Sequence, residues 1–198
     1  MFPYQHKIPN NAKTEYTEMC RRLGIKPGDL AICIQAESRF DPAAKNWGSS
    51  ATGLIQFVEA TANELGTTTA SLRDMSFRQQ LVFVEKYIKN KIVSTGIKNP
   101  DLYDLYLMIH YPKAAGKPDD YVLYRNPSSA YNGNRLLDYN KDGNVTIKEI
   151  KQFLNKSVPI GYIQSVFWQP LFWVLVVLGL GLTVVNYKKQ ILKFFKRK

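Results

Sequence analysis

"IQAESRFDPAAKNWGSSATGLIQFVEATANELG", residues 34–66, joins two helical patterns across a polar loop, and its reading decides the fold. The first pattern runs through Leu30, Cys33 and Ile34, and at helical spacing the next place on that apolar stripe is position 37. The sequence puts Glu37 there, a carboxylate where a Leu would suit, just before Pro42 stops the helix. The second pattern sets Leu54, Ile55, Val58 and Leu65 on one face and ends at Gly66, which predicts a helix over 53–66.

Working outward, helical signals continue. Pro27 stands near a helix start in "KPGDLAICIQAESRF". Ser76 and Gln79 form a capping box ahead of "FRQQLVFVEKYIKN". "DLYDLYLMIHYP" is closed by Pro112. Strand-like alternation is scarce, so a mainly α-helical class is expected. The hydrophobic fraction of 45% is that of a globular chain. Two cysteines make no disulfide framework, and Cys33 falls on the apolar stripe as a buried thiol.

The ordered series Glu37, Ser38, Phe40, Asp41, Pro42, then Gly53, Leu54, Gln56, Thr61 and Ala62, resembles the lytic transglycosylase domain. This is the goose-type lysozyme-like family that cleaves peptidoglycan. The resemblance covers about residues 15–155 and implies a lysozyme-like helical domain with Glu37 as its catalytic residue. It further implies that Gly53 lets the backbone approach the glycan and that Gln56 bonds the sugar near the scissile bond. Ser49 or Ser50 would contact the substrate or cap the following helix. "LYLMIHYPKAAGKPDDYVLY" is similar to phage members of the family and aligns Tyr111 with the tyrosine of their Ala-Tyr-Asn-Ala-Gly motif. Here Pro112 replaces the Asn and the Gly is displaced to Gly116, while Tyr131 in "SAYNG" is a second candidate for the active-site tyrosine. His110 beside Tyr111 is read as structural.

The chemistry explains why Glu37 belongs on an apolar edge. A glycosidic oxygen needs an acid that is still protonated near neutral pH, and burial raises a carboxyl's pKa by disfavouring its charged form. Most glycosidases use two carboxylates. Members of the resembled family use one, first as acid and then as base toward the sugar's own C6 hydroxyl, giving a 1,6-anhydro product. Asp41 is placed out of the helix by Pro42 and is read as structural, not as a second catalytic carboxylate.

"DYNKDGNVTIKE", residues 138–149, fits the calcium loop of an EF-hand. Asp138, Asn140 and Asp142 take positions one, three and five, with Gly143 as the turn glycine. The Asn144 carbonyl serves position seven, Thr146 is at nine, and Glu149 is the bidentate ligand at twelve. A single such loop, with "PSSAYNGNRLL" a poor helix before it, reads as one structural Ca²⁺ clamp, with no cofactor expected for catalysis.

The far end differs in composition. Residues 166–185, "VFWQPLFWVLVVLGLGLTVV", hold no charge, and twenty residues of helix span about 30 Å, the thickness of a bilayer core. Phe167, Trp168 and Trp173 at one end and Tyr187 at the other suit the two interfaces. The tail, residues 188–198, carries six of the net +11 charges and leaves +5 on residues 1–187. The expected organisation is therefore a catalytic domain over 1–155, a linker over 156–165, one membrane helix over 166–187 and a basic tail. Zinc-finger spacings and phosphate-binding Gly-rich loops are absent from the sequence.

Together these features predict a membrane-anchored lytic transglycosylase of phage type. It would be held in a virion or bacterial inner membrane and cut the MurNAc–GlcNAc β-1,4 bond to open the wall locally. Its expected partners are glycan strands, the bilayer, other virion capsid or membrane proteins, and anionic lipid or nucleic acid at the tail. A hydrolysing muramidase and a catalytically silent structural virion protein stand as alternatives.

Overall fold

A computed structural model describes residues 1–162, and Met1–Ser157 form one compact unit. The architecture is mainly helical. Its elements run α1 (Lys13–Leu23), α2 (Pro27–Glu37), α3 (Glu59–Glu64), α4 (Thr69–Asp74), α5 (Phe77–Thr95), α6 (Leu102–His110), β1 (Val122–Arg125), α7 (Ser129–Asn134), β2 (Asn144–Thr146) and α8 (Ile147–Asn155). Among the described residues no helix is long and apolar enough to cross a membrane. The span read at 166–187 and the tail at 188–198 lie outside the described residues, as does the end of the linker.

The centre of the domain is α2. Leu30, Ala31, Ile32, Cys33 and Ile34 are all fully buried, so this helix is apolar all round where the sequence reading gave it one stripe. An all-round apolar helix must be enclosed. Helix α2 packs against α1, α6 and α8, and α1 lies along α5. Helix α1 contributes Tyr16, Met19 and Cys20 to the core, while α5 adds Leu81, Val84 and Ile88 and α6 adds Leu105 and Met108.

Local signals set most helix ends. Pro27 opens α2, needing no N–H in the first turn. The Ser76–Gln79 capping box closes on α5 in both directions. The Asp101 side chain accepts the N–H groups of Tyr103 and Asp104 to start α6. Gly24 and Gly96 end α1 and α5 in the left-handed conformation.

The helix expected over 53–66 is shorter. It occupies only Glu59–Glu64, and residues 52–57 form a tight turn closed by a bridge between Thr52 and Phe57. Gln56 sits in that turn at φ 56°, not at a helix start. β1 and β2 pair antiparallel, with Tyr124 opposite Val145 and Arg125 opposite Asn144, and β2 lies within the 138–149 loop.

Candidate active site

Helix α2 delivers Glu37 as its last residue into the lining of a cleft of about 600 Å³. The cleft is lined by Asn46, Ser49, Gln56, Thr61, Tyr87, Lys91, His110 and Asn134 among others. Among the lining residues Glu37 is the only carboxylate.

Its Oε1 is buried and has no hydrogen-bond partner among the described residues. A carboxyl in such a place resists ionisation, and burial pushes Glu37 up from 4.5 to about 7. The Tyr106 hydroxyl acts in the opposite direction, favouring the ionised form. Glu37 is thus poised to hold or release a proton near neutrality.

An aromatic wall stands behind this pair. The His110 ring stacks on Tyr106 with centroids 5.6 Å apart, and its Nε2 lies 3.2 Å from the Tyr124 hydroxyl. Burial lowers His110 to about 4, which keeps it neutral at pH 7. Tyr111 ends α6 and sets its ring at 5.5 Å and 84° to Tyr124. Tyr131 lies on α7, where its hydroxyl donates to Asp138 Oδ2 at 2.7 Å. The tyrosine that acts on Glu37 is therefore Tyr106, on α6 five residues before Tyr111, and the sequence reading passed over it.

The loops around the cleft are held from beneath. Ser38 Oγ donates to the Leu54 carbonyl at 2.9 Å, tying the end of α2 to the 52–57 turn. Gln80, fully buried on α5, accepts the Leu54 N–H at 2.9 Å and donates to the carbonyls of Pro42 and Leu72 at 2.6 and 2.7 Å. This one amide joins the loop after Glu37 to the turn that carries Gln56.

Gly53 has a different reason from the one expected. Its φ is +76°, and an added Cβ would lie 2.6 Å from Gln80 Oε1. The close approach it permits is to a side chain of its own domain, where the sequence reading assigned a glycan. Gln56 lines the cleft, and its Nε2 donates to the Gly53 carbonyl at 3.1 Å. Ser49 lines the cleft, whereas Ser50 Oγ accepts the Glu59 N–H at 3.0 Å at the start of α3. Asp41 is exposed and accepts the Ala43 N–H at 2.8 Å.

The 138–149 loop meets α7 through the Tyr131–Asp138 hydrogen bond. Asp138 and Glu149 are buried carboxylates, and neither takes part in an ion pair among the described residues. Asp138 accepts the N–H groups of Asp142 and Gly143, and Glu149 accepts those of Tyr139 and Thr146. Asp142 is held below its ordinary value, chiefly by the Asn144 N–H. Among the described residues no three acids or histidines converge as a ready-made cage. The oxygen donors are instead spread over acids, Asn140, Thr146 and a backbone carbonyl, a hard mixed set suited to Ca²⁺.

No curated protein matches the chain. Residues 17–81, from within α1 to the start of α5, match the family described as Transglycosylase SLT domain, so the stretch that carries Glu37, Gly53, Gln56 and Gln80 is lytic-transglycosylase-like, which supports a peptidoglycan lytic transglycosylase activity in general.

Proposed function

We propose that this chain is a membrane-anchored lytic transglycosylase that cuts the MurNAc–GlcNAc β-1,4 bond and releases 1,6-anhydro ends. The observation that carries this reading is the single cleft carboxylate, Glu37, buried at Oε1 and raised to about 7. One carboxyl near neutrality suits a mechanism in which one group acts twice.

In the first step the protonated Glu37 gives its proton to the glycosidic oxygen as the C1–O bond breaks. The carboxylate left behind then takes the proton of the C6 hydroxyl, and that oxygen bonds to C1. No water is consumed, and Glu37 ends the cycle protonated as it began. Burial favours the neutral acid in the first step, and the Tyr106 hydroxyl stabilises the carboxylate in the second. Gln56, fixed by Gly53, and Ser49 would orient the sugar, with Tyr111 supporting the aromatic wall.

One Ca²⁺ belongs to the same proposal. Asp138, Asn140, Asp142, the Asn144 carbonyl and Glu149 would hold it. Two buried carboxylates without cationic partners favour a bound cation, because buried charge is normally paired or metal-bound. The metal would supply loop closure and no chemistry at the glycan.

The uncharged stretch 166–185 and the basic tail support a single C-terminal anchor. In a virion membrane such an anchor would hold the enzyme for local wall opening, with the tail meeting anionic lipid or nucleic acid. Immunodetection in purified virions tests that setting, and its absence from them would overturn it.

Digestion of purified peptidoglycan by the full chain and by Glu37→Gln, read by mass spectrometry, tests the activity. Fragments one water lighter than hydrolysis products, lost in Glu37→Gln, are expected. Reducing ends would identify a hydrolase, and no fragments from folded protein would leave a structural role.

A further inference from the structure

Trp47 is 88% exposed, the only tryptophan among residues 1–162, and it stands at the tip of a braced loop. The loop is closed by the bridge from Lys45 to Thr52 and by the Asn46 N–H donating to the Ala51 carbonyl at 2.9 Å. Ser50 ties it to the start of α3. The tip is therefore held in place before anything binds, which lowers the ordering cost of a contact there.

Isolated exposed apolar residues are ordinary. Trp47 differs in its position, because Asn46 and Gly48 on either side of it both line the cleft that holds Glu37. Val58, 42% exposed, lines the same cleft. The indole thus continues the cleft outward. One face of it is covered, with Lys45 Nζ 4.5 Å from the ring centroid. The other face is left to whatever the cleft's long ligand presents. β-1,4-linked aminosugars in the chair form present flat faces of axial C–H bonds, which pack on an aromatic face and need no hydrogen bond there.

We propose that Trp47 is an outlying sugar-stacking subsite. It would hold a pyranose ring of the glycan strand beyond those that the cleft encloses, with Lys45 fixing the indole's orientation. This rests on the reading of the cleft as a glycan site.

The experiment is a calorimetric titration of the full chain in detergent. It carries Glu37→Gln to prevent turnover and is titrated with a hexasaccharide of alternating N-acetylglucosamine and N-acetylmuramic acid. Adding Trp47→Ala should raise Kd about tenfold, and Trp47→Phe should recover most of the loss. Because Trp47 is exposed, both variants should melt with the parent. Equal Kd with and without the indole overturns the subsite while leaving the cleft reading intact. No hexasaccharide binding by the Glu37→Gln parent overturns the cleft reading itself. Binding to phosphatidylglycerol vesicles that falls with Trp47→Ala, with hexasaccharide affinity unchanged, overturns the subsite in favour of a membrane-interface contact.

Discussion

The Tyr106 hydroxyl, on α6, acts against the rise in pKa that burial imposes on the Glu37 carboxyl. The two residues come from α6 and α2, helices that pack against each other in the core. The acid's pKa near 7 is therefore a balance of two effects. Tyr106→Phe removes the one that favours the ionised form, so Glu37 should titrate higher. Activity requires the protonated acid at the start of the cycle and falls as pH rises through this pKa. The alkaline limb of the pH–kcat/KM profile should move upward in Tyr106→Phe, with kcat lowered where the carboxylate must act as base.

The same burial links Glu37 to stability. Its folded-state pKa, about 7, is above the ordinary value of 4.5. Its contribution is thus fully present below pH 4.5 and is lost as pH rises through about 7. Urea unfolding of wild type and Glu37→Gln should agree at low pH. By pH 8 the wild type should be weaker by about 3 kcal/mol relative to the variant.

Gln80 offers a test of the scaffold. Gln80→Leu fills the same space but leaves the Leu54 N–H and the Pro42 and Leu72 carbonyls without their partner. A loss of about 3 kcal/mol is expected, seen as a fall of several degrees in Tm. Gly53→Ala should cost about 2 kcal/mol through its positive φ and its approach to Gln80. The Gly53→Ala, Gln80→Ala pair should cost less than the sum of its parts, because the second change removes the atom struck by the first.

Calcium should stabilise the domain without entering the reaction. Saturating it at about a hundred times Kd adds about 2.7 kcal/mol. Tm of the full chain should rise with Ca²⁺ and fall with a chelator. Asp138→Ala should abolish the difference. Peptidoglycan digestion below the chelated Tm should still proceed.

Two polar residues show how legible the site was. Glu37 drew notice because it interrupts the stripe of Leu30, Cys33 and Ile34. Gln80 interrupts the stripe of Phe77, Leu81 and Val84 in the same manner, and that signal could have found it. Tyr106 carried no such mark, since a tyrosine within "LYLMIHY" fits a core helix whether or not its hydroxyl meets an acid.

By itself the sequence determined the helical class, the caps at Pro27 and Ser76, and the identity of Glu37 as the anomalous acid. These are short-range properties, set by spacing and by backbone groups within a turn of the residue that satisfies them. Tertiary structure alone decided that Tyr106 and not Tyr111 acts on Glu37. It also decided that Gly53 makes room for Gln80, and that residues 52–57 turn where a helix was expected. Each of these depends on groups brought together from distant parts of the chain or on a local helical preference overridden by packing. A buried amide must find partners wherever the folded backbone presents them, and no local pattern names them in advance.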